Sequence, residues 1–89
     1  MKDLSDWRAE IDRLDREVVD LLNRRAQCVL GLAPLKRERD MPVREPKRER
    51  VVIGNVVASN RGPLPDRSIE RIYETVIREM RSVQRERDD

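Results

Sequence analysis

The chain has no histidine and no phenylalanine, and only one tryptophan, one tyrosine, one cysteine and three glycines among its 89 residues. Each shortage removes a class of function. Without histidine, and with Cys28 as the single thiol, a zinc site is not expected. A lone cysteine also excludes an intramolecular disulfide. Aromatic residues make up 2% of the chain, too few for a platform that stacks bases. Its 20 basic and 18 acidic residues leave a net charge of +2, a surface dense in both signs rather than a cationic field, so nucleic acid is not an expected partner. The segment from Met1 to Trp7 is polar and charged, and no apolar run approaches a membrane span or a signal-peptide core. The expectation is a soluble protein of the reducing cytoplasm with no membrane partner.

What is present is helical periodicity. Leu4, Trp7, Ile11, Leu14, Val18 and Leu21, then Arg25, Cys28 and Leu32, recur at alternating spacings of three and four, which predicts one long helix over about 4–39. Asp3 or Ser5 suits its N-cap, and Asp40, Met41 and Pro42 end it. Pro34 removes one hydrogen bond from its interior, so a kink or a break is expected there, with Gly31 adding pliability. A second helix over about 46–60 opens at Glu45 and Pro46 and carries Val51, Val52, Val56 and Val57. A third over about 66–86 opens at Pro65 and Asp66, with Ile69, Ile72, Tyr73, Val76, Ile77, Met80 and Val83 as its stripe. No strand pattern competes, so the expected fold is all-α, a single domain over 1–89. With 37% hydrophobic residues in so short a chain its own core is marginal, and oligomerisation is expected.

Arg25 interrupts the apolar seam of the first helix. A guanidinium does not deprotonate and is costly to desolvate alone, so it is either paired, for example with Asp15 of a partner chain, or waiting for an anionic ligand. Lys36 lies eleven residues on, about three turns, and projects from nearly the same side. Cys28, on the same seam, reads as a small core residue. Arg8 precedes Arg25 by seventeen residues, about 25 Å of helix, too far for both to grip one small molecule from the same chain. Either Arg8 is a solvated residue of the first turns, or long helices pair antiparallel and bring it to Arg25 of a second copy. A first helix of about 50 Å is in keeping with such pairing, because a compact domain of this size has a radius of gyration of about 13 Å.

These residues resemble a known family. The run Arg8, Ile11, Asp12, Leu14, Asp15, Leu21, Leu22, Arg24 and Arg25, then Lys36, the stretch Pro42-Val43-Arg44-Glu45-Pro46-Lys47-Arg48-Glu49, and finally Gln84, is similar to the all-helical chorismate mutases of the AroQ class. The resemblance covers nearly the whole chain. It implies an intertwined homodimer of three-helix protomers that rearranges chorismate to prephenate with no cofactor. It further implies that Arg25, Arg48 and Arg8 from the partner chain neutralise the substrate's two carboxylates. Lys36 and Gln84 would donate to the ether oxygen, and Glu49, with Glu45 nearby, would position the ring hydroxyl.

Each assignment has a plainer reading beside it. Glu45 and Glu49 suit a helix start electrostatically, with capping a sufficient role for Glu45, whereas Arg48 in that first turn is disfavoured and so points to function. Gln84 is either a buried amide or a solvated flank residue. Glu45 stands where the family often has aspartate, and Met80 where a small polar residue helps to hold a carboxylate. An isochorismate pyruvate lyase on the same scaffold, or a non-catalytic helical dimer that binds a partner or polyanion, are the alternatives. A shikimate-pathway enzyme is a further candidate partner.

Overall fold

The computed structural model describes residues 1–88, with side chains through Glu86. It contains three helices, α1 (Leu4–Glu38), α2 (Pro46–Ala58) and α3 (Asp66–Asp88). α1 starts at a reciprocal capping box in which the Asp6 amide donates to Asp3 Oδ1 at 3.0 Å and the Asp3 amide donates to Asp6 Oδ2 at 3.1 Å. Along its exposed side Arg13 pairs with Glu10 and Glu17, one turn either way. The hydrogen bond from Arg13, and then its charge, hold the Glu10 carboxyl below its ordinary range.

Pro34 neither ends nor divides α1, which runs through it to Glu38. The terminus is built by backbone instead. The Met41 amide donates to the Lys36 carbonyl at 2.8 Å and the Asp40 amide to the Arg37 carbonyl at 3.1 Å, while Asp40 takes a left-handed φ of 54°. This is the Schellman arrangement, and it turns the chain sharply out of the helix and back toward Lys36. α2 stops two residues short of the expected end because the Ser59 amide and hydroxyl both donate to the Asn55 carbonyl and the Asn60 amide donates to the Val57 carbonyl. Asn60 then ties the connection down, its Nδ2 donating to the Leu64 carbonyl at 2.7 Å and to Asp66 Oδ1 at 2.8 Å. Gly62, with φ of 72°, supplies the left-handed residue of that turn.

α3 packs on both α1 and α2, which make no direct helix-to-helix packing among the described residues. Burial is sparse and lies at one end of the molecule. Ala33, Ile77 and Met80 are the buried apolar residues, joined there by Lys36 and Gln84. The first half of α1 projects beyond this core, so that the molecule measures 56 × 24 × 15 Å, with a radius of gyration of 16.2 Å. A compact chain of this length would have about 12–13 Å. Leu4, Trp7, Ile11, Leu14, Val18 and Leu21, the apolar seam, are all exposed. Cys28, expected in a core, is also exposed. Among the described residues no helix is long and apolar enough to cross a membrane.

Candidate active site

Lys36 is the centre of the site. Its position two residues before the α1 terminus puts its side chain under the returning chain, and it is 6% exposed. Its ammonium lies 2.9 Å from the Val43 carbonyl, 3.0 Å from Glu45 Oε2 and 3.3 Å from Gln84 Oε1. Three N–H groups therefore meet three acceptors, from the loop, the start of α2 and the end of α3. A buried ammonium is tolerated only when so satisfied. Glu45 holds the N-cap position of α2, but its side chain makes no capping hydrogen bond and goes to Lys36 instead. The capping role expected of its carboxylate is thereby corrected, since a buried cation is the stronger claim on it than a helix N-terminus open to water.

Gln84 is buried, at 4% exposure, rather than solvated on a flank. Its orientation follows from chemistry. An ammonium only donates, so the atom facing Lys36 must be the carbonyl oxygen, and the NH2 end is left as the donor.

Beside this pair opens a cavity of about 240 Å³ between the second half of α1, the start of α2 and the end of α3. Arg25, Lys36, Glu45, Arg48, Glu49, Met80 and Gln84 all line it, together with the apolar Val29, Leu32, Val52 and Ile77. Every residue expected in the site is thus brought together except Arg8, which is exposed in the second turn of α1, about 25 Å of helix from Arg25. Arg25 is half-buried, and neither it nor Arg48 makes an ion pair or side-chain hydrogen bond among the described residues. Met80, buried in the wall, presents a thioether where a hydroxyl would have offered a donor.

Sequence reasoning missed Arg81. Its Nη1 lies 3.2 and 3.3 Å from the two carboxylate oxygens of Glu49, inside the same cavity wall. The signal was its register, since Arg81 is one turn after Ile77 and nearly one turn before Gln84 and must share their face.

The profile of the chorismate mutase type II family matches residues 7–85. Among curated proteins, the chain is 38% identical over 78 residues, 88% of its length, to a bifunctional chorismate mutase/prephenate dehydratase of Neisseria gonorrhoeae. It is 32% identical over 81 residues, 86% of its length, to the bifunctional protein of the same name in Aquifex aeolicus. It covers 22% of the Aquifex relative and 21% of the Neisseria one, so it spans about a fifth of their length. The form II structure of chorismate mutase from Thermus thermophilus superposes with a TM-score of 0.90 at 28% identity, covering 94% of this chain and 96% of that one.

Proposed function

The chain belongs to the chorismate mutase type II family, and from that membership and the cavity we propose that it rearranges chorismate to prephenate. One observation carries this reading: two guanidinium groups unpaired among the described residues, Arg25 and Arg48, face the same cavity as the buried Lys36–Gln84 pair. The rearrangement is unimolecular. As the ether carbon–oxygen bond breaks, a carbon–carbon bond forms across the same six-membered array, and negative charge gathers on the ether oxygen. No nucleophile or cofactor enters, so catalysis reduces to holding the reactive conformer and stabilising that charge.

Arg25 and Arg48 have the planar forks that grip carboxylates, and with no partner among the described residues they have no such bond to give up when the substrate arrives. Lys36, by releasing its longest contact, the 3.3 Å one to Gln84 Oε1, and the NH2 end of Gln84 are the donors for the ether oxygen, with Glu49 and Glu45 at the hydroxyl end. Burial of Lys36 and Gln84 strengthens the contacts these two make. Arg8 enters from a second copy of the chain. The support for that copy is the exposed seam of α1, which a paired α1 would cover, and the reach that Arg8 lacks within its own protomer. The dehydratase half of the bifunctional relatives' names is said of those longer proteins.

Loss of chorismate absorbance with product identification by chromatography tests the proposal. Prephenate is expected; pyruvate from isochorismate would assign the lyase reaction instead, and no turnover of either would refute an active site here.

A further inference from the structure

Arg81 has no part in the mechanism above, yet it occupies the cavity wall between apolar neighbours. A cation there needs an anion, and Glu49 supplies it. One nitrogen of Arg81 bridges both carboxylate oxygens, and the two side chains are 20% and 22% exposed, a pair set into the wall rather than displayed to solvent.

The charge count gives this pair a purpose. Within one chain four cations, Arg25, Lys36, Arg48 and Arg81, and two carboxylates, Glu45 and Glu49, line the cavity, and Arg8 of a second copy raises the excess of positive charge from two to three, enough to receive a dianion. Without Arg81 that excess falls by one, and Glu49 presents an uncompensated negative charge beside a ligand that carries two. The geometry also leaves Glu49 able to work. A carboxylate offers about four lone-pair directions, and contact with a single nitrogen uses two of them. The others remain open to a hydroxyl.

We infer that Arg81 is a positioning residue that keeps Glu49 in the wall as a charge-compensated hydroxyl acceptor, fitting the site to a hydroxylated dicarboxylate. The inference rests on the mutase reading. Steady-state kinetics of the full chain with chorismate, at fixed ionic strength, test it. Arg81→Met, which keeps an unbranched stem, is expected to raise KM about tenfold while lowering kcat much less, because ground-state repulsion is what it introduces. Arg81→Lys restores most of the KM, since an ammonium also compensates Glu49. Added to Glu49→Gln, the Arg81→Met change has little further effect. An unchanged KM in Arg81→Met, or a loss of the same size with and without Glu49→Gln, would overturn the inference. Should the Met variant fail to fold by circular dichroism, Arg81→Gln carries the same comparison. Absence of turnover by the unaltered chain refutes the mutase reading and this inference together, whereas turnover indifferent to Arg81→Met refutes this inference alone.

Discussion

A half-buried guanidinium with no partner costs desolvation and returns nothing to the protomer's stability. Among the described residues Arg25 is such a group, and its replacement separates function from folding. Arg25→Ala is expected to lower kcat/KM by at least about a hundredfold while the melting temperature holds or rises, since an uncompensated charge is removed. Retained turnover in that variant would exclude Arg25 from the reaction. Gln84 makes a complementary test. In Gln84→Glu the side chain donates to the ether oxygen only when protonated, so activity should rise as pH falls. Lys36, 3.3 Å from the present amide oxygen, favours the ionised form of the new carboxylate and displaces the recovery to more acidic solution, with Glu45 opposing it. A pH–rate profile parallel to that of the unaltered protein would remove Gln84 from its role. Arg25 was legible in the sequence because a charge interrupted a regular apolar repeat. Arg81 was not, because a cation on the flank of a stripe looks solvated until its partner, 32 positions earlier, is seen to lie across from it.

At the scale of elements, the three helices could be read from the three-four spacing of their apolar residues and from the caps and prolines between them. Pro34 could not, because whether a helix survives an internal proline depends on what packs around it. Here the buried Ala33 and Lys36 anchor the turn on either side. The Schellman end of α1 was equally hidden, since no glycine marks it and Asp40 adopts the left-handed conformation itself. That conformation is costly for a residue with a Cβ. Asp40→Gly is therefore expected to stabilise the protein by about 0.5–1 kcal/mol, read as a higher urea midpoint at unchanged slope. A lower midpoint would show that the Asp40 side chain contributes more than its backbone costs.

The whole molecule is a rod with its core at one end and its apolar seam bare. Pairing of two rods, as proposed, makes folding and association one process, so the melting temperature should climb with protein concentration. Arg8→Ala and Arg25→Ala proteins, each inactive, should regain about a quarter of full activity when mixed, because random exchange makes about half of the dimers mixed and each of these has one intact site of two. Demonstrated exchange without recovery would place each site within a single chain. The continuity of α1 through Pro34 has a mechanical consequence in such a pair. A single stiff strut would carry an arginine for one pocket near its tip and the buried lysine of the other near its base, so any flexing of that strut misaligns both pockets in concert.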